Sequence, residues 1–144
     1  MVILIIAVTL FAGGSGYLKL KANKSHDVVF QYQEKYDSLR TCGEKPRCVS
    51  SFSKGDMYIS PMATKLTLDQ VRDQLTKGMD LKLNKQMQNY LHFTYESSFF
   101  GFIDDVEILY LDKQLYFRSE SRVGYSDLGA NRSRVKEIKE ALNR

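Results

Sequence analysis

RSESRVGYSDLGANRSR, residues 118–134, is the stretch on which the fold turns. It reads as the end of a β-strand, a turn pinned by Gly124 and Gly129, and the start of a last helix. Four arginines, four serines, Glu120, Asp127, Asn131 and Tyr125 share its seventeen positions. That density of paired charge is too ordered for a solvated tail and too polar for ordinary core. A strand that hands over to a helix through such a corner implies an α+β architecture.

Working backwards, the corner is fed by a hairpin whose register can be argued. With Asp112 and Lys113 as the turn, Tyr110 faces Leu115, Ile108 faces Phe117 and Val106 faces Ser119. These pairs share one side of the sheet with Phe100 and Phe102, and a slip of one residue would scatter that apolar face. The other side sets Glu107 against Arg118 and Asp105 against Glu120. The second pair repels unless a cation intervenes, and Arg118 and Arg122 flank Glu120 on its own strand. The register therefore predicts a charge network of Asp105, Glu107, Arg118, Glu120 and Arg122.

Working forwards, Val135, Ile138 and Leu142 mark the buried face of the last helix. Asn131 falls on that face, with Arg132 and Arg134 on its flanks. The helix begins either with Asn131 as N-cap, or earlier at Ser126 or Asp127. The earlier start leaves Gly129 inside, at about 1 kcal/mol.

Further out, Thr67 and Gln70 form a capping box, and Leu66 with Val71 a hydrophobic staple. Leu68, Val71 and Leu75 line the buried stripe of this helix, and Gly78 is its stop. Met79, Leu81 and Leu83 alternate as a strand, and residues 87–96 alternate again after a polar NKQ. There Leu91, Phe93 and Tyr95 share one side, while Tyr90, His92, Thr94 and Glu96 make a wetter one. His92 reads as an exposed strand residue, since no acidic or nucleophilic partner lies near it in sequence. Residues 27–39 place Val29, Tyr32, Tyr36 and Leu39 at helical spacing behind Asp27 as cap. Residues 41–58 read as an extended loop.

The N-terminal 18 residues carry no charged side chain, close to the minimum for crossing a bilayer as a helix. We read residues 1–18 as a transmembrane anchor, with a signal segment as the rival. Residues 19–40 are a partly helical connector and residues 41–144 an α+β domain. That domain is expected to hold a small antiparallel sheet of about four strands with two packed helices. Lys19, Lys21 and Lys24 favour holding the flank of the anchor in the cytoplasm. Cys42 and Cys48 pull the other way, because a bridge across their proline-containing turn would persist only in an oxidising compartment. A zinc site lacks the C-x-x-C step and has only His26 and His92 to complete it. A reduced, buried pair is the third alternative.

A net charge of +4 dispersed along 144 residues lacks the basic stripe of a nucleic-acid binder. No phosphate loop, H-E-x-x-H or nucleophile elbow is present, and no cofactor or metal is implied.

CGEKPRCVSS (residues 42–51), ISPM (59–62), FFGFIDDVE (99–107) and RSESRVGYSDLGANRSRV (118–135) come in this order. The chain thereby resembles the domain-of-unknown-function family 1499 over residues 42–142. The family's usual first motif is closer to C-P-x-x-P-N-C-V-S-S; here Gly43 and Arg47 replace its proline and asparagine. The resemblance implies a small envelope or membrane-associated protein with its domain outside the cytoplasm. It implies no biochemical activity.

Three functional readings follow. In the first, the motif is a structural lock in which Asp104, Asp127 and Asn131 satisfy Arg122, Arg132 or backbone amides. The protein is then a membrane-tethered, non-catalytic structural or protein-interaction module with an envelope protein as partner. In the second, Arg122, Arg132 and Arg134 converge with Ser121, Tyr125, Ser126 and helix-start amides. They would bind an anionic ligand, such as a phosphate- or carboxylate-bearing lipid headgroup or cell-wall fragment. In the third, Asp104 and Asp127 serve a hydrolase. Adjacent Asp104 and Asp105 point to opposite faces, which weighs against joint metal chelation.

Overall fold

The computed structural model describes residues 14–144 in full and, before them, only the helical course of residues 2–13. Helix α1 (Val2–Asp27) leads into an extended strap, residues 28–47, and then β1 (Cys48–Ser50). A short 3-10 turn (Gly55–Met57), β2 (Met62–Ala63) and α2 (Leu68–Gly78) follow. Strands β3 (Lys82–Met87), β4 (Tyr90–Glu96), β5 (Ile103–Leu111) and β6 (Gln114–Ser121) form the meander, and α3 (Ala130–Leu142) closes the chain.

The antiparallel sheet has six strands rather than about four, in the order β1-β6-β5-β4-β3 with β2 also on β6. Of the two added strands, Cys48–Ser50 lies in the tract read as loop and Met62–Ala63 just beyond it; both are too short to show periodicity, and pair with β6 only across the fold. The polar NKQ lies inside β3, and the β3–β4 turn falls between Met87 and Tyr90.

The central hairpin has the expected register, Tyr110 opposite Leu115, Ile108 opposite Phe117 and Glu107 opposite Arg118. Asp112 and Lys113 occupy left-handed backbone, φ 50° and 59°, as a two-residue turn matched to strand twist requires. One sheet face carries Leu91, Phe93, Val106, Ile108, Leu115 and Phe117. It packs on α2 through Val71 and Leu75, and on α3 through Val135 and Ile138. The capping box of Thr67 and Gln70 fixes the start of α2. Burying this face is the main driving force for the fold.

The opposite face is not wet. Residues 28–47 form no helix; they run extended across it, laying Phe30 on His92, Tyr36 on Tyr90, and burying Leu39 beside Leu109. The helical spacing of residues 27–39 is overridden because contact with this face buries more aromatic surface than an isolated short helix could. The segment 1–18 expected as an anchor falls largely outside the described residues. Among the described residues no helix is long and apolar enough to cross a membrane.

Candidate functional site

Alternation along β5 sends Asp105 and Glu107 to the strap face and Asp104 to the helix face. On the strap face Glu107 is 1% exposed. Its carboxylate accepts from Arg118 at 2.8 Å, from the Tyr90 hydroxyl at 2.9 Å and from Arg40 at 3.4 Å. Arg118 also pairs with Glu120, which Arg47 approaches at 4.0 Å. Asp105 receives both Nε and Nη2 of Arg122 at 2.8 Å. The repulsion between Asp105 and Glu120 is thus relieved by arginines, as the register required.

His92 corrects the sequence reading. It is buried, with Nε2 at 2.8 Å from Asp105 and Nδ1 at 2.8 Å from the Tyr32 hydroxyl. With a neutral ring, Nε2 donates to the carboxylate and Nδ1 accepts from the phenol. Burial raises the Asp105 carboxyl, but its bonds to Arg122 and His92 outweigh that and hold it below the usual carboxylate range. Burial and the neighbouring Glu107 push the Tyr90 hydroxyl far above its ordinary value, so it stays protonated as a donor.

On the helix face the corner closes through Asn131. Its amide donates to the Ser121 hydroxyl at 2.9 Å, to Asp127 at 2.7 Å and to the Arg47 carbonyl at 3.0 Å. Its oxygen accepts from Ser119 and from Arg134. Asn131 is therefore not the N-cap of α3. Gly129, at φ 84°, precedes the helix, and Asp127 caps from outside by accepting from the Gly129 and Asn131 amides. Arg134 pairs with Asp104 at 2.8 Å and lies over the Tyr95 ring. Burial dominates here and holds the Asp104 carboxyl above its ordinary range in spite of Arg134 and Ser121.

The three arginines expected to converge are separated. Arg122 serves Asp105 and also donates to the Ser25 and Val28 carbonyls at the end of α1. Arg132 reaches across to the Asp56 and Tyr58 carbonyls. Arg134 lies with Asp104 on the other face of the sheet. Asp104 and Asp127 are likewise engaged with Arg134 and with the α3 amides, away from any histidine bond. Cys42 and Cys48 form a disulfide, which removes the thiolates a zinc site would need.

What the corner leaves open is apolar. A cavity of about 620 Å³ lies between it and α1, walled by Leu18, Tyr95, Phe100, Phe102, Ile103 and Val123, with the Asp104–Arg134 pair also in its lining. Tyr125, Ser126, Leu128 and Ala130 line its exposed side. Leu128 is 96% exposed although its φ is 53°, a conformation that a branched side chain adopts only with strain. Tyr125 is 73% exposed.

A family model described as a protein of unknown function, DUF1499, matches residues 38–142. The chain belongs to that family. No curated protein and no solved structure matches it. The DUF1499 match begins within the strap, so it spans the corner and the strap-face ion pairs and leaves out Tyr32 and α1.

Within the DUF1499 match, the backbone around Arg47 holds the disulfide loop to the corner. The attachment uses main chain, with the Arg47 carbonyl accepting from the Ser121 amide at 3.0 Å and the Pro46 carbonyl from the Asp127 amide. The guanidinium only adds bonds, to the Arg122 and Gly124 carbonyls. The disulfide loop is thereby docked onto the signature corner of the DUF1499 domain. Sequence reasoning missed Tyr32, Arg40, Tyr90 and His92, whose partners depend on β4 lying beside β5. That pairing puts His92 opposite Glu107 and Thr94 opposite Asp105. Only the acidic run of β5 hinted that a neighbouring strand must supply donors.

Proposed function

We propose that the protein is a membrane-tethered, non-catalytic envelope domain. Its signature corner is a rigid wall for a pocket that takes a small ligand by its apolar part. One observation carries this reading: the acidic, amide and guanidinium groups of the corner are bonded to one another, while the adjoining cavity stays apolar and open. Pockets for small molecules have this character, predominantly apolar with a few placed polar groups. Hydrolysis finds no support in the site, because Asp104 and Asp127 are both committed to structural partners. The disulfide supports an oxidising compartment, hence a domain outside the cytoplasm. The uncharged N-terminal run supports the tether.

The test is a titration with the amphipathic dye 1-anilinonaphthalene-8-sulfonate, whose aromatic rings would enter the cavity. The native chain is expected to bind one equivalent saturably. Ala130→Phe fills the cavity from its exposed side and should abolish that binding with an unchanged melting temperature. No saturable binding by the native chain would leave the corner a stability device alone.

A further inference from the structure

We infer that the occupant of this pocket is one hydrocarbon chain of a bilayer lipid, drawn up beside α1. The inference rests on the binding reading above and names its ligand. Three independent observations point to it.

The first is where the pocket lies. Helix α1 contributes Leu18 and Lys21 to the lining, and the sequence before Leu18 is uncharged back to the start. The cavity therefore opens at the point where the apolar segment enters the domain. That placement is rigid, because the end of α1 is clamped. Ile103 donates its amide to the Ser25 hydroxyl, Arg122 caps the Ser25 and Val28 carbonyls, and the His26 ring bonds the Gly101 carbonyl.

The second is the chemistry of the rim. Leu128 and Tyr125 stand exposed at the cavity, and Phe99, also exposed, rests edge-on against the lining Phe100. Apolar and aromatic side chains gathered at one edge suit the boundary between water and hydrocarbon. Lys19, Lys21 and Lys24 on the adjoining stretch of α1 suit lipid phosphates beside it.

The third is Leu128 itself. A left-handed turn position favours glycine, and the turn has glycine at Gly124 and Gly129. A leucine held there with its side chain in the open implies that the side chain is used outside the fold. The acidic and guanidinium groups in the lining are already bonded: Asp104 to Arg134, Asp127 to the α3 amides, with Ser121 bonded to Asn131. Beside Lys21 and the Tyr125 hydroxyl at the edge, the remaining lining is mostly hydrocarbon surface.

The chain contains no tryptophan, so Tyr125→Trp is a clean fluorescent reporter at the rim. The full chain carrying it is reconstituted into vesicles of phosphatidylcholine and phosphatidylglycerol, with and without bromine on the acyl chains. Bromine should quench the reporter. The quenching should vanish when Ala130→Phe fills the pocket. It should also vanish with Leu128→Gly, which relieves the backbone and is expected to keep or raise the melting temperature. Quenching that survives Ala130→Phe would mean surface contact only and overturn the inference. Absent quenching alongside a saturable dye site would also overturn it, leaving a pocket filled from water. Absent quenching with no dye site would overturn both readings.

Discussion

The two faces of the sheet bury charge in different ways. On the strap face, Glu107, Arg118, Asp105, Arg122 and His92 bond one another beneath an extended strap, with the Arg118 Nε left without a partner among the described residues. On the helix face, Asp104, Arg134 and Asn131 sit at the edge of an apolar core and border an open cavity. The comparison teaches that buried polarity has two separate jobs here. One network holds a covering segment down and borders cavities of about 170 and 420 Å³; the other stiffens the wall of a cavity of about 620 Å³. Burial of charge alone does not say which job a residue has. What decides is the size and the apolar lining of the space beside it.

The largest expected effect tests the strap-face network. Glu107→Ala leaves Arg118 charged and buried without its main partner. Such a loss typically costs about 3–5 kcal/mol. Denaturation in urea would measure it. Replacing both partners by apolar residues, Glu107→Leu with Arg118→Met, should recover part of the loss, because the Arg118 charge is no longer buried alone, while the Tyr90 hydroxyl still loses its acceptor. A single substitution that proved silent would show that water reaches this face, and the contrast between the faces would collapse.

A smaller effect separates the corner from the strap. Opening the disulfide by Cys42→Ser with Cys48→Ser frees a loop with a sequence separation of 6. The loop-entropy relation gives a loss of about 2 kcal/mol for so short a loop. The loop is docked on the corner, so amide exchange should quicken at Ser121 and Asp127, whose amides bond Arg47 and Pro46. The amides of β4 should keep their protection. Uniform acceleration across both regions would mean that the corner is not a distinct unit.

The parts of this arrangement visible in the sequence are those carried by local or paired patterns. The capping box of Thr67 and Gln70, the stripe of α2, the face of α3 and the central hairpin all follow from spacing and register. The relief of Asp105 and Glu120 by arginine followed too, because a like-charge pair across strands demands a cation. The strap was not legible. Its aromatic residues fit a helix as well as an extended run, and only the sheet they cover decides between them. His92 was misread for the same reason, since its two partners come from residues 32 and 105. The supposed arginine cluster failed because neighbours in sequence around a turn and a helix start point in unrelated directions. The pocket was invisible because its walls come from α1, the β4–β5 region and the corner together.

The smallest effect sets the two faces against each other through adjacent residues. Asp104 and Asp105 both start from an ordinary value of 3.8, and the fold moves them oppositely. Asp105 is lowered, so its contribution is fully present above pH 3.8 and is lost as the pH falls through the depressed folded value. Asp104 is raised, so its contribution is present below pH 3.8 and is lost as the pH rises through the elevated folded value. Urea midpoints from acid to neutral pH should therefore respond in opposite senses to the two amide substitutions. Asp105→Asn should flatten the acid limb below pH 3.8, where the native carboxylate is being protonated away from Arg122 and His92. Asp104→Asn should flatten the curve above pH 3.8, where the native carboxyl is being forced to ionise beside the cavity. Slopes that changed in the same sense would mean that both carboxylates share one environment. The alternation of β5 would then no longer divide the network under the strap from the one beside the large apolar cavity.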